Sequence, residues 1–230
     1  MIKFLFLDLD DTILDFKKAE AIAIRKTMGQ YGLEPTDELA ARYSAVNERH
    51  WKALERGEMT REQVVTNRFA VFFGEQGIAV DAPAVAKTYE TFLSQGHFFL
   101  PGAEETVKQK LYGKYKLYLA SNGTAVVQKG RMTSADLYPY FEETFVSQEL
   151  GHNKPSKEYF EAAFARIPGF DPAECLMVGD SLTSDILGGK NAGLRTVWVN
   201  PHHKTAPEAI KPDYEIELLA DLPALLEEIE

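Results

Sequence analysis

Cysteine is almost absent from this 230-residue chain. Cys175 is the only one, so no disulfide can form within the chain, and its place at the start of an apolar run reads as a buried, unreactive thiol. No cluster of Cys and His suggests zinc, and the pair His202-His203 reads as exposed loop. Long hydrophobic runs are missing too, and none approaches the ~20 residues of a membrane span. There is no GxxxxGK loop, so ATP-driven phosphoryl transfer is not indicated. Positive charge is scarce: 25 Lys and Arg stand against 35 Asp and Glu, a formal net charge of -10 with a pI near 5.1. That balance argues against binding to nucleic-acid polymers or anionic membranes, while local charge still decides whether a small anion is held. The start Met1-Ile2-Lys3-Phe4 has no signal-peptide pattern and runs straight into a strand, so a soluble cytoplasmic protein is expected.

What is present is a packed globular composition, 45% hydrophobic and 11% aromatic, and one informative segment. Residues Lys3 to Leu7 form an apolar, β-forming run that ends abruptly in Asp8-Leu9-Asp10-Asp11-Thr12. Residues i and i+2 of a strand point the same way, so Asp8 and Asp10 can reach one small volume. Open α/β sheets bind ligands at the carboxyl ends of their strands. Two carboxylates about 4 Å apart repel by roughly 4 kcal/mol at a surface-like dielectric, a penalty that a bound cation reverses. A solvated loop after a strand is the plainer alternative.

The remaining pattern is one α/β core interrupted by a helical block. From Phe16 to about Gln95 only helical periodicity is visible. One helix starts around Ala19 and ends near Gly32, and Asp37 is placed as the cap of a second that runs to about Glu55. Thr60 with Gln63 fits a capping box for a third, and Asp81 with Pro83 starts a fourth. After Pro101-Gly102, strands at Lys116 to Ala120, Thr144 to Val146, Cys175 to Val178 and Thr196 to Val199 alternate with helices. This order indicates a parallel sheet covered on both faces. Leu218 to Glu230 reads as a final surface helix.

Three more strand ends carry polar groups. Ser121-Asn122-Gly123 follows the second strand and offers a hydroxyl and backbone N–H groups to an anionic oxygen, or is an ordinary turn. Gly179-Asp180 ends a later strand, with Asp185 near the first turn of the next helix, where it either serves the site or caps the helix. Lys154, before Pro155-Ser156, can project toward an anion or sit in solvent. Asp8, Asp10 and Asp180 supply hard oxygens that suit Mg²⁺, while Ser121, backbone amides and Lys154 supply donors to a phosphoryl group.

These four segments, in this order, resemble the motifs of haloacid dehalogenase-type phosphatases. The resemblance implies a Rossmann-like core over residues 1–14 and 100–230, with a helical-bundle cap inserted at 15–99. It implies Asp8 as nucleophile and Asp10 as general acid/base. The metal would take Asp8, the backbone carbonyl of Asp10 and Asp180, with Asp185 behind them. Ser121, Asn122 and Lys154 would bind the phosphoryl oxygens. It also implies that dehalogenation is disfavoured, because dehalogenases lack the second aspartate.

A wider pattern is similar to bacterial pyrimidine 5'-nucleotidases. It comprises Asn47 with Trp51, Glu55 with Gly57, Arg68-Phe69 with Phe72-Phe73, then Gln128, Arg131 and Trp198 to Pro201. Ala135-Asp136 departs from the Ser-Gly usual there. The implied substrate is a nucleoside monophosphate, with Trp51 and Arg68 as candidate contacts to it and Phe69, Phe72 and Phe92 as bundle core. A phosphatase of phosphoglycolate or a sugar phosphate, a phosphosugar mutase, and a non-catalytic binding module are the other readings.

Overall fold

The computed structural model describes residues 1–229, so Glu230, the end of the expected last helix, lies outside the described residues. Strand β1 (Phe4–Leu7) is followed by four helices, α1 (Phe16–Gln30), α2 (Asp37–Glu55), α3 (Arg61–Glu75) and α4 (Ala82–Leu93). A short helix α5 (Ala103–Glu105) runs into a π-helical turn (Thr106–Leu111). Then come β2 (Lys116–Ser121), α6 (Ala125–Ser134), β3 (Glu143–Val146), α7 (Ser147–Leu150), α8 (Lys157–Phe164) and β4 (Cys175–Gly179). A second π-helical turn (Leu182–Ile186) leads to α9 (Leu187–Asn191), then β5 (Arg195–Val199), β6 (Tyr214–Ile216) and α10 (Leu222–Ile229).

The strands form one sheet in the order β3-β2-β1-β4-β5-β6, with every pair parallel. The chain leaves β1 toward β2 and β3, then returns to the other side of β1 to lay down β4. That reversal opens a crevice beside the carboxyl ends of β1 and β4. The two-residue period of β1 sorts its side chains: Phe4 and Phe6 pack with Tyr118, Phe145 and Met177 on one face. Leu5 and Leu7 pack with Leu117, Leu119, Leu176 and Val178 on the other. Burial on both faces explains why these strands read as continuous apolar runs.

Helices α1 to α4 bury a separate cluster around Tyr43, Phe69, Phe72 and Tyr89. The chain enters and leaves this block side by side. Asp15 N donates to Phe98 O at 2.7 Å, Leu100 N donates to Ile13 O at 3.0 Å, and Leu14 pairs antiparallel with Phe99. The Thr60–Gln63 capping box and the Asp81 cap are formed as expected. The cap of α2 is Thr36, with Asp37 as the first helical residue, because the Thr36 hydroxyl reaches Leu39 N. Strand β6 has no counterpart in the sequence reading, since three residues at a sheet edge are too short to show a period. No helix among the described residues is long and apolar enough to cross a membrane.

The bundle's cohesion depends on its aromatic centre, where Phe72 is fully buried and edge-on to both Tyr43 and Phe73. Phe72→Ala should cost about 3–5 kcal/mol in urea unfolding. A loss below about 1 kcal/mol would mean that the four helices are not held by this cluster.

Candidate active site

The crevice at the switch point holds a cavity of about 220 Å³ whose lining comes from both the sheet ends and the helical block. Asp8 follows β1 directly, and its N–H donates to Val178 O at 2.9 Å, which ties it to the end of β4. Carboxylate oxygens of Asp8, Asp180 and Asp185 lie within 4.8 Å of one another. Gly179 makes this approach possible, because a Cβ there would sit 2.2 Å from Asp185 Oδ2. Three hard oxygen donors this close fit a divalent cation such as Mg²⁺.

One buried cation meets this cluster. Lys154, 1% exposed, donates to Asp8 Oδ1 at 2.9 Å, Asp185 Oδ1 at 2.6 Å and the Ala120 carbonyl at 2.5 Å. Burial alone would push its ammonium pKa down, but Asp185 and Asp8 outweigh burial and hold it up. Burial pushes Asp8 up to about 8 in spite of Lys154, and Asp185 and Asp10 add to the rise. Asp180 is raised well above the carboxylate range by burial first, then by Asp185 and Asp8. Lys154 alone therefore does not keep Asp8 and Asp180 ionised, and a divalent cation among them would favour their charged forms.

Asp10 stands apart from the metal-type cluster. Its carboxylate pairs with Arg131 Nη1 and accepts from Gln128 Nε2 at 2.8 Å. Arg131 is fully buried, and its Nε donates to Gly96 O at 2.8 Å, at the foot of the helical block. Gln128 Nε2 also donates to Ser121 Oγ at 2.8 Å, and Gly123 N donates to the same oxygen at 3.0 Å. Both contacts use Ser121 as an acceptor, so its hydroxyl proton is available to an oxygen in the cavity. Asn122 spends its side chain on the Lys154 peptide, accepting from Lys154 N at 2.9 Å and donating to Lys154 O at 2.8 Å. Its side-chain amide therefore places Lys154 and does not face an anion.

Asp11, at φ +54°, lines the cavity and accepts from Phe16 N at 2.9 Å, so it closes the first turn of α1. Trp51 and Arg68 line the opposite wall together with Glu55 and Glu90. Two contacts tie that wall to the sheet. Lys52 and Glu55 of α2 meet Thr183 Oγ1 at 2.5 and 2.6 Å. Arg61 of α3 donates to Asn122 O at 2.9 Å, Gly123 O at 3.1 Å, Asn153 Oδ1 at 2.7 Å and Ser147 Oγ.

Asp8, Asp10, Ser121, Asn122, Lys154 and Asp180 thus line one cavity, Asp185 stands behind them against Lys154, and Trp51 and Arg68 reach the cavity from the helices. Phe69 and Phe72 are bundle core, and Cys175 is buried. His202 and His203 are exposed. Sequence reading gave no role to Arg61 or Thr183, and knew Gln128 and Arg131 only as part of a wider pattern. Arg61 and Thr183 act across more than 60 positions of chain, which leaves no local signal.

Comparison with known proteins agrees with this geometry. The family model for haloacid dehalogenase-like hydrolases matches residues 2–193. The HAD-hydrolase YfnB of Bacillus subtilis is 41% identical over 218 residues, 95% of this chain and 92% of YfnB. The pyrimidine 5'-nucleotidase PynA of Streptococcus pneumoniae is 36% identical over 220 residues, 96% and 93% of the two chains. The magnesium-bound crystal structure of YfnB superposes with a TM-score of 0.93 over 98% of each chain, at 40% identity. The L-2-haloacid dehalogenase of Xanthobacter autotrophicus, at 19% identity and a TM-score of 0.78 over the whole of both chains, shares the fold. The chain belongs to the haloacid dehalogenase-like hydrolases.

Proposed function

We propose that this chain is a Mg²⁺-dependent phosphomonoester hydrolase that works through a phosphorylated Asp8, with (deoxy)pyrimidine nucleoside 5'-monophosphates as substrates. The observation that carries the chemistry is the division of the strand-end acids. Asp8 sits with Asp180 and Asp185 where one cation can join them, while Asp10 is held separately by Arg131 and Gln128. A cation in that cluster would keep Asp8 ionised for attack, while Asp10, outside it, is spared that charge and can carry a proton once it is released by Arg131. The nucleotide preference is supported by likeness to PynA and to the pyrimidine 5'-nucleotidase YjjG of Escherichia coli, 31% identical over 96% of this chain.

In this reading Asp8 Oδ attacks phosphorus, and the bond from phosphorus to the ester oxygen breaks. Protonated Asp10 gives its proton to the departing oxygen, because an alkoxide is a poor leaving group. Asp10, now a carboxylate, takes a proton from water that attacks the aspartyl-phosphate and releases phosphate. Bound Mg²⁺, held by Asp8, Asp180, the Asp10 carbonyl and Asp185 directly or through water, supplies positive charge against the phosphoryl oxygens. Ser121 donates its hydroxyl proton to a phosphoryl oxygen. Lys154 joins it by exchanging its contact with Asp8 for the substrate. Residues 15–99 act as a cap that shuts over the cavity, with Arg61 and the Lys52–Glu55–Thr183 contact as its fastenings. YfnB bound to magnesium reveals interdomain movement in that protein. Dehalogenation would leave Asp10 without a task, since a halide departs without a proton.

A panel of esters with Mg²⁺ tests the substrate class. UMP and dUMP should release phosphate faster than phosphoglycolate or hexose phosphates, and the reverse order would overturn the nucleotidase reading. Asp8→Asn should abolish both turnover and the phosphorylated protein recovered by rapid quench in acid. Asp10→Asn should slow phosphorylation by dUMP about 10²- to 10⁴-fold, and phosphorylation by p-nitrophenyl phosphate far less. Equal losses would remove Asp10 as the proton donor. Magnesium should raise the thermal midpoint of the unaltered protein, and Asp180→Asn should remove most of that shift. Identical shifts would show that Asp180 is not a ligand.

A further inference from the structure

The helical wall of the cavity holds a cation that the phosphoryl chemistry leaves unused. Arg68 of α3 is only 3% exposed and lines the cavity. Its Nη1 donates to Asn47 Oδ1 at 2.6 Å and its guanidinium lies over the rings of Phe69 and Tyr89, but its Nε is buried with no hydrogen-bond partner and it forms no ion pair among the described residues. A guanidinium has five N–H donors, and burying them unpaired is costly. Such a group fits best where a ligand completes its hydrogen bonds.

The neighbours of Arg68 fix it in place. Asn47 Nδ2 donates to Glu20 Oε1 at 2.6 Å, and Ser44 Oγ donates to Glu20 Oε2 at 2.6 Å. With its amide nitrogen committed to Glu20, Asn47 must turn its oxygen to Arg68. Glu20 is itself buried, so three helices of the bundle share one polar chain from Ser44 to Arg68. A polar chain through an otherwise apolar, aromatic bundle is hard to explain by packing alone.

The surroundings select the acceptor. Glu55 and Glu90 line the same cavity and Glu20 stands behind Asn47, while the cations beside this wall are already engaged, Lys52 by Glu55 at 3.1 Å and Arg61 by four oxygen acceptors. Among the residues that line the cavity, six carboxyl side chains stand against two cations, Arg68 and Lys154, so an anionic leaving group is repelled and a neutral acceptor is favoured. Trp51, whose ring centre is 5.9 Å from Arg68 Cζ, and the cavity residues Phe16, Leu93 and Val127 offer apolar walls to a flat ring. Resting on the nucleotidase reading, we propose that Arg68 donates to a ring carbonyl oxygen of the departing nucleoside, and that Asn47 and Glu20 are positioning residues that hold it there.

The test compares kcat/KM for dUMP with that for 2-deoxyribose 5-phosphate, which has the same sugar phosphate and no base. The unaltered protein should prefer dUMP, and Arg68→Met should lower the ratio at least about tenfold, since a site built to donate to a carbonyl discriminates strongly. Asn47→Ala and Glu20→Ala should lower it in the same direction. Glu20→Gln should keep it, because an amide still accepts from Asn47 and can donate to Ser44. If the unaltered protein shows no preference for dUMP, the nucleotidase reading fails and takes this inference with it. If it does and Arg68→Met retains the preference, or loses both substrates equally, only the role of Arg68 is overturned. Circular dichroism checks folding, and should Arg68→Met not fold, an unchanged ratio in Asn47→Ala overturns the inference alone.

Discussion

The contact on which the site depends is the buried ammonium of Lys154 between Asp8 and Asp185. Three acids gathered at the end of a parallel sheet repel one another, and burial raises Asp8 and Asp180 even with the lysine beside them. Lys154 keeps Asp8 and Asp185 in register, and Asn122 keeps Lys154 in register through both ends of its peptide. The lysine offsets only part of the cost of ionising these acids together. A divalent ion would offset the rest, at oxygen donors placed by the ends of β1 and β4.

The sheet order meets that demand. Because β4 returns to the far side of β1, Asp8 and Asp180 emerge on neighbouring strands, while Ser121 emerges from β2 on the other flank. The two faces of β1 are filled by separate clusters, so the strand has no freedom to slip by one residue without turning Leu5 and Leu7 into the aromatic layer. The placement of Asp8 to within a hydrogen bond is therefore a consequence of core packing. Arg131 extends the same logic to the helical block. It grips Asp10 on one side and the Gly96 carbonyl on the other, so Asp10, the proposed proton carrier, is aligned by the joint between the two parts of the chain.

Asp8 and Asp180 were legible in the sequence because each directly follows an apolar strand, with Asp10 two positions after Asp8, a purely local pattern. The parallel sheet was legible for the same reason, through alternation of short apolar runs with amphipathic segments. Strand β6 was not, since Tyr214–Ile216 borrows its conformation from β5 and has no pattern of its own. Lys154 was readable as a candidate but not its partners. Whether a lysine after Asn153 points to solvent or inward is decided by Asn122 and Ala120, more than 30 positions earlier. Arg61 was invisible for a similar reason: at the first turn of an amphipathic helix it looks like a solvent-facing charge, and only the folded chain brings four oxygen acceptors to it.

The two parts of the molecule divide the work by how tightly each is determined. The strand ends hold groups whose positions follow from backbone register, which suits chemistry that must be the same for every ester. The helical block has its own aromatic core, so its cavity wall can change without disturbing the sheet. Even so, Arg68 is not left loose on that wall. Glu20 and Asn47 hold it through hydrogen bonds of 2.6 Å drawn from different helices. A wall meant only to exclude water would need no such arrangement, since Phe16, Leu93 and Val127 already provide apolar cover. On the proposed reading, the polar chain inside the bundle is the feature that distinguishes a wall that recognises a leaving group from one that merely encloses it.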